Sequence, residues 1–283
     1  MIDLIVREPS YLNEASAGTA ASVTRGMRLS DVLRQPLKVR GSLSFDYRPS
    51  RFTTLEATLF RIVGTGEFRT RVAHATPEQV LLKMDSVGRS TQEGLNVNLT
   101  TNRLPRMLFS ASYTISSARD DGSAIWTPPS GEGNAVDVWG AASNDSRHRL
   151  SVSAFAELRS GVRATLQMRY LSSTPYEGLS PLDLNHDGFP NDRASGLQRN
   201  ALRGQGRTNF NFTASWSPNS RVRSAPVDDA FSRRGFSVYL SASNLLNFPN
   251  YNRWYPVVGT TLFRQPIAAG PARRVELGFK WWR

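Results

Sequence analysis

Apolar and polar residues alternate with a period of two along most of the chain. In the last such stretch, Val275, Leu277, Phe279 and Trp281 are separated by charged residues or glycine. Because successive side chains of a strand point to opposite faces, this alternation predicts a half-exposed β-strand. The same pattern predicts strands at 236–243, 209–216, 162–170, 150–158, 107–115, 95–101, 55–59 and 39–47, with 2–6 as the remnant of another.

The connections between these strands alternate in length. Three are tight turns, after Tyr47, Asn102 and Leu158. Four are long and rich in Gly, Pro, Asn, Asp and Ser: 63–90, 119–147, 172–206 and 248–271. Short periplasmic turns and long extracellular loops are typical of outer-membrane barrels. We therefore predict an all-β fold, an antiparallel up-and-down transmembrane β-barrel segment of about 9–10 strands. The connection 217–235 fits less well, because it is long where a tight turn is expected.

The two faces of the predicted strands differ in chemistry. Arg163, Arg169, Arg274, Glu276 and Lys280 lie on the polar face and are expected to point into a wet lumen. The opposite face is expected to meet lipid. It consists of Val275, Leu277, Phe279, Val238, Leu240, Phe210, Phe212, Leu166 and Met168. Aromatic residues are expected at the two membrane interfaces, and they are Trp216, Trp281, Trp282, Tyr47, Tyr113 and Tyr170.

Composition narrows the possible functions. The chain has 283 residues, a net charge of +12, no cysteine and three histidines, which excludes thiolate metal sites and thiol nucleophiles. Of its 35 basic residues, 32 are arginines, and these are scattered rather than gathered in a basic arm or helix. Scattered charges do not predict nucleic-acid binding. No apolar run approaches the length of about 18 residues that a membrane-spanning helix needs.

One loop segment carries a candidate metal site. Asp183, Asn185, Asp187 and Asp192 match the first half of a calcium-binding loop, with a glycine after Asp187 for the sharp turn. Position 12 of that loop is Ala194, so the bidentate carboxylate is missing. The alternative is an Asx-rich turn without a metal. We predict no other cofactor.

Other carboxylates do not form a catalytic pair. Glu157 and Glu276 lie on separate strands beside arginines, so we expect lumenal salt bridges rather than acid/base chemistry. Asp120 and Asp121 follow a strand, and we expect them to be the solvated start of a loop. The sequence therefore predicts no catalytic residues and a protein that is not an enzyme.

Several segments, taken in chain order, resemble one family. SASNLLNFPNYNRW and the terminal ARRVELGFKWW are similar to the last hairpin of TonB-dependent outer-membrane receptors. DSVGRSTQEGLNVNLTTNR, FSASYTISSARDDGS and TPYEGLSPLDLNHDGFPNDRASGLQRNALRGQG resemble strands and a loop of the Oar-like subgroup, whose members carry a carboxypeptidase-regulatory-like domain. The resemblance covers residues 28–283 as the C-terminal part of the barrel, whereas 1–27 match only as a weak strand or loop.

The resemblance implies a function. Members of this family form barrels of about 22 strands around a plug, and they import ligands across the cell outer membrane with energy relayed by TonB. The implied partners are outer-membrane lipid, the barrel-assembly machinery and an unidentified extracellular ligand. The TonB complex and a plug domain would act only through upstream sequence, because the chain shows no signal peptide, plug or TonB box and is expected to be a fragment.

One feature departs from the family pattern, and an alternative function stays open. Relatives end in an aromatic residue, whereas Arg283 follows Trp282 here. The alternative function is a soluble or surface β-rich module that binds acidic polymers through its arginines. A barrel segment is expected to aggregate in water because its strand edges and apolar face are exposed.

Overall fold

The computed structural model of the protein describes residues 24–75, 79–121, 139–184, 191–218 and 235–282. These residues form fifteen strands. The first eight are β1 (Thr24–Leu29), β2 (Leu37–Ser50), β3 (Thr53–Ala75), β4 (Gln79–Thr101), β5 (Met107–Asp120), β6 (Gly140–Ala141), β7 (His148–Glu157) and β8 (Val162–Leu171). The others are β9 (Pro175–Tyr176), β10 (Leu202–Arg203), β11 (Arg207–Trp216), β12 (Gly235–Ser243), β13 (Tyr251–Trp254), β14 (Pro266–Ala269) and β15 (Arg274–Trp282). The predicted strand at 2–6 and the residues 219–234 lie outside the described residues.

Nine of the strands form one antiparallel meander, in the order β15-β12-β11-β8-β7-β5-β4-β3-β2. Each pairs with its neighbour along this path, which confirms the predicted up-and-down architecture. The three predicted tight turns are present, and one of them contains the 3-10 turn Arg159–Gly161. There Ser160 and Gly161 both have positive φ, the backbone geometry that reverses the chain within so few residues.

The register aligns side chains of like polarity across the meander. One row, read from β15 to β5, consists of Leu277, Leu240, Ala214, Ala164, Ala156 and Met107. A second row consists of Phe210, Met168, Val152, Ala111, Leu99, Leu55 and Tyr47. Directly opposed residues in antiparallel strands share a face. The predicted apolar residues therefore form one continuous face. We call this part of the sheet the sheet band (39–47, 53–64, 90–101, 107–115, 148–157, 162–171, 207–216, 235–243 and 274–282).

The apolar face is exposed rather than packed into a core. Leu277 is 76% exposed and Phe279 66%. In the described part of the chain, the buried hydrophobic residues are only Leu82, Met84, Ala142 and Ala242. Within the described ranges no second sheet covers this face, which distinguishes the fold from a two-layer sandwich. None of the helical segments that the structure describes combines the length and apolarity of a membrane crossing.

A long hairpin replaces one predicted loop. Residues 63–90 were expected to be an irregular loop, but β3 and β4 are 23 residues long each and remain paired through most of this range. The register shifts between Thr65 and Glu67, where Gly66 has φ 69°, so a bulge bends the strand without ending it. The prediction was wrong because it took the glycines as the end of the strand.

The strand β1 departs from the meander. It pairs in parallel with β4 from Gln79 to Met84, beyond the point where β5 ends. The chain then crosses towards β2, held by the amide of Ser30 on the Met84 carbonyl (2.9 Å) and the amide of Arg34 on the Ser86 hydroxyl (2.8 Å). The alternation of polarity in the sequence predicted antiparallel neighbours only.

Glycine in the last strand has a packing role. Gly278 lies opposite Tyr239 on the polar face, and a β-carbon added at Gly278 would overlap the Tyr239 ring. A ring that covers a cross-strand glycine fills the gap left by the missing side chain. This contact gives a physical reason for the glycine in the C-terminal motif.

Candidate functional site

The long connections gather at one edge of the sheet, which we call the loop rim (65–75, 79–89, 116–121, 139–147, 172–184, 191–206 and 244–273). Short strands organise these connections: β6 pairs with the end of β5, β9 pairs with β10, and β13 pairs with β14. The loop rim contrasts with the opposite edge of the sheet, where the described connections are tight turns.

Asp145 ties two of the loops together. Its side chain is buried and forms an ion pair with Arg203, and its Oδ1 accepts a hydrogen bond from the amide of Ala118 (2.9 Å). The same guanidinium donates to the backbone carbonyls of Asp145 (2.8 Å) and Ser173 (3.0 Å). A buried charge is tolerated only when it is paired and hydrogen-bonded, and Asp145 meets both conditions.

Asp120 and Asp121 are also paired, contrary to the prediction of a solvated loop start. Asp121 is 4% exposed, accepts a hydrogen bond from the amide of Arg89 (2.6 Å) and lies 3.6 Å from the guanidinium of the same residue. Asp120 forms an ion pair with Arg199, which is 79 residues away in the sequence. The prediction was wrong because a partner so distant along the chain leaves no local signal.

Glu177 is neutralised within its own loop. It forms an ion pair with Arg193 and accepts a hydrogen bond from the amide of Asn200 (2.9 Å). The Asn200 side chain in turn donates to the carbonyl of Ala141 (2.7 Å). The loop between β8 and β11 is thus fixed internally and to its neighbour.

Asparagines shape the loop after β12. Asn244, Asn247 and Asn250 all have positive φ, a conformation that asparagine adopts more readily than other residues with a β-carbon. The Asn244 side chain accepts from the amide of Phe248 (3.0 Å) and donates to the carbonyl of Pro271 (3.0 Å). The asparagines of the C-terminal motif therefore set the course of the chain towards β13.

A cavity of about 380 Å³ lies between the β8–β11 and β12–β15 loops. Tyr176, Arg207, Tyr251, Arg253 and Trp254 contribute to its walls. Ligand pockets commonly have volumes of about 300–1,000 Å³. The volume of this cavity lies within that range.

The walls of the cavity are tied together by backbone hydrogen bonds. The amide of Leu179 donates to the carbonyl of Pro256 (2.9 Å), and the amide of Val258 donates to that of Leu179 (2.9 Å). The Tyr251 and Trp254 rings meet edge to face with centroids 6.0 Å apart. The cavity is therefore formed by the fold itself.

The electrostatics of the cavity are positive. Neither Arg207 nor Arg253 forms an ion pair with a carboxylate within the residues that the structure describes. Glu177, the acidic residue in the wall, is already paired with Arg193. Burial raises the pKa of the Tyr176 phenol above its ordinary value, while the nearby Arg264 guanidinium acts in the opposite direction. Tyr176 is therefore neutral at pH 7.

The predicted calcium ligands are only partly described. Asp192 is 1% exposed and accepts a hydrogen bond from the amide of Leu184 (2.5 Å), while Asp183 is partly exposed. Asn185 and Asp187 lie outside the described residues. Among the residues that are described, no group of three or more His, Cys, Asp or Glu side chains could hold a metal. Calcium binding stays a prediction.

The salt bridges expected of the two glutamates are present. Glu157 lies 3.4 Å from the Arg163 guanidinium, and Glu276 lies 2.5 Å from that of Arg274. Cavity residues such as Arg253 and Trp254 were not singled out for a role by the sequence. The only indication in the sequence was that these two residues stand side by side at the end of the asparagine-rich motif.

Comparisons with known proteins bear on the fold. No protein-family model matches the chain, and no curated protein matches it in sequence. Its fold is similar to that of the outer membrane transporter YddB from Escherichia coli, with a TM-score of 0.62 and 7% identity over 92% of this chain and 34% of the other.

Two further structures give the same result. The FrpB iron transporter from Neisseria meningitidis has a TM-score of 0.54 and 13% identity over 89% of this chain and 32% of its own. The ferric enterobactin receptor PfeA from Pseudomonas aeruginosa, a point mutant, has a TM-score of 0.54 and 11% identity over 86% and 30%. The chain thus spans about a third of each structure, and its strands match barrel segments of TonB-dependent receptors in fold.

Proposed function

We propose that the chain is the C-terminal barrel segment of a TonB-dependent receptor in the cell outer membrane, of the Oar-like subgroup. In this role it is not an enzyme. The sheet band contacts lipid, and the loop rim meets an extracellular ligand that the complete receptor imports. The TonB complex and a plug act through upstream sequence, and the barrel-assembly machinery inserts the strands.

The observation that carries the proposal is the exposed apolar face. Across the nine paired strands, apolar residues stand mostly opposite apolar residues, and nearly all of them are exposed or only half-buried. Exposure of such a face to water is unfavourable, since contiguous apolar patches on soluble monomers rarely exceed a few hundred Å². Contact of the same face with lipid is favourable. The fold shared with outer-membrane transporters supports the same role.

A pair of single-cysteine variants tests this function. The native chain contains no cysteine, so a label attached at one introduced cysteine reports on that position alone. Leu166→Cys and Gln167→Cys place the label on opposite faces of β8. After refolding into phospholipid vesicles, an environment-sensitive dye at 166 should be quenched by lipid-attached quenchers, and one at 167 by aqueous iodide.

A different pair of results would contradict the membrane role. Equal access of iodide to both positions, together with a chain that is monodisperse in buffer without detergent, contradicts the membrane role. That result favours a soluble or surface module that binds acidic polymers. Tyr113→Cys and Thr114→Cys repeat the comparison on β5, so the result does not depend on one strand.

A further inference from the structure

We propose that the cavity between the β8–β11 and β12–β15 loops binds a small organic ligand in which an oxyanion, carboxylate or phosphate, is attached to a flat ring. The inference rests on the proposed function in one respect, since it takes the loop rim as the side from which a ligand arrives. It assigns the ligand chemistry to five side chains: Tyr176, Arg207, Tyr251, Arg253 and Trp254.

The charge requirement follows from the two arginines. Arg207 and Arg253 line the same cavity, and neither is neutralised by a carboxylate within the described ranges. Elsewhere at the loop rim, by contrast, Arg193, Arg199 and Arg203 each hold a carboxylate of the protein. A guanidinium presents a planar fork of donors that fits the oxygens of carboxylate and phosphate. The cavity thus keeps two such forks for a ligand.

The ring requirement follows from the aromatic walls. Tyr251 and Trp254 are held edge to face, and the hydroxyl-bearing ring of Tyr176 joins them. Aromatic walls contact flat apolar surfaces well and lose little side-chain entropy, since each ring has two rotatable bonds. A small inorganic ion would use the arginines but leave these walls unoccupied.

The position of the Trp254 side chain is unfavourable for the stability of the fold. Its indole lies so close to Gly204 that a β-carbon there would overlap the ring, and its buried Nε1 has no hydrogen-bond acceptor. A buried donor without a partner is unfavourable, and such groups are rare in native structures. The stability of the fold therefore does not explain why the indole ring lies at the cavity wall.

The experiment uses three fluorinated probes and the refolded chain in detergent micelles. The probes are 4-fluorobenzoate, 4-fluorophenyl phosphate and the uncharged 4-fluorobenzamide, and ¹⁹F NMR titration measures their binding, with protein-free micelles as the blank. We expect saturable binding of at least one charged probe, with the amide weaker by about tenfold or more. The carboxylate and the phosphate arms distinguish the two oxyanions.

Substitutions locate the binding. Arg253→Gln and Arg207→Gln should each weaken the charged probe by about tenfold, whereas Arg103→Gln, at an exposed arginine in a tight turn on the opposite edge, should leave it unchanged. Tyr251→Leu should weaken all three probes and preserve the preference for charge. Circular dichroism confirms that each variant has refolded.

Several results would overturn the inference. They are the absence of saturable binding for both charged probes, equal binding of the amide, or unchanged affinity in both arginine variants. The proposed membrane role does not depend on this outcome, because the labelling of positions 166 and 167 measures lipid contact whether or not a probe binds.

Discussion

The sheet band exposes apolar side chains, whereas the loop rim buries polar ones. The sheet band leaves Leu, Val and Phe side chains exposed on one face. The loop rim contains all the buried polar and charged side chains that the structure describes, namely Thr70, Asp85, Ser116, Asp121, Asp145, Ser146, Asp192 and Asn244. The two regions therefore depend on different forces, although the same strands run through both.

The difference shows how each region is stabilised. Strand pairing in the sheet band satisfies the backbone, so the side chains are free to differ between the two faces, apolar on one and polar on the other. Outside the β3–β4 hairpin, the loop rim has only short ladders such as β9–β10 and β13–β14. Backbone groups of the loops need side-chain partners, and Asp145, Arg203 and Asn244 supply them. Substitutions in each region, and the addition of calcium, test this division.

Asp145→Ala should have the largest effect. It leaves Arg203 without its carboxylate and removes the acceptor for the Ala118 amide. Loss of one partner of a buried pair reduces the free energy of unfolding by about 3–5 kcal/mol. Urea unfolding in phospholipid vesicles measures the loss, and limited proteolysis should show the loops cut first.

The matched control is Glu276→Gln in the sheet band. Its ion pair with Arg274 is solvent-exposed, so the same measurements should change by less than about 1 kcal/mol. Equal losses in the two variants would contradict the division between the regions.

Leu240→Arg tests the apolar face of the sheet band. Leu240 lies opposite Leu277 and Ala214, in the middle of that face. An arginine facing lipid near the middle of the bilayer costs about 2–4 kcal/mol. Ser241→Arg, one residue further on the polar face, should be nearly neutral in the same unfolding experiment. If both substitutions cost the same, the apolar face does not meet lipid.

Gly278→Ala tests the ring contact on the polar face. The new methyl group overlaps the Tyr239 ring, so we expect the free energy of unfolding to fall by about 1–3 kcal/mol. In a Tyr239→Ala background the same substitution should cost much less, because the ring is gone. A cost that is identical in both backgrounds would assign the effect to the backbone instead.

Calcium should have the smallest effect. If the 183–192 loop binds calcium with a dissociation constant of about 1 mM, then 10 mM Ca²⁺ stabilises the chain by about 1.4 kcal/mol. Asp187→Ala should abolish this gain, and Mg²⁺ should not reproduce it. An unchanged unfolding curve at 10 mM Ca²⁺ identifies the segment as an Asx-rich turn.

The sequence predicted the sheet band far better than the loop rim. Period-two alternation is a local property, and it located the nine strands of the meander and assigned Leu277 and Glu276 to opposite faces. It failed for β3 and β4, since a glycine at a bulge resembles a glycine at a strand end. It gave no sign of the contact between Asp120 and Arg199, because ion pairs between distant loops follow no period.

The candidate site was least visible for the same reason. Arg207 begins β11, and Arg253 and Trp254 lie in β13 more than 40 residues later, so the cavity exists only once two connections meet. What the sequence showed was the asparagine-rich motif. Its positive-φ residues direct the chain to Tyr251, but they do not reveal what lies opposite.

The parallel strand β1 has a consequence for the order of folding. Strands of the meander pair with neighbours in the chain, so each hairpin closes a short or moderate loop, and hairpins can add one after another. β1 is different, because Thr24 pairs with Gln79, 55 residues away, along an edge of β4 that the β3–β4 hairpin provides. We expect β1 to dock last, and its amide protons to be the first of the sheet to exchange with solvent.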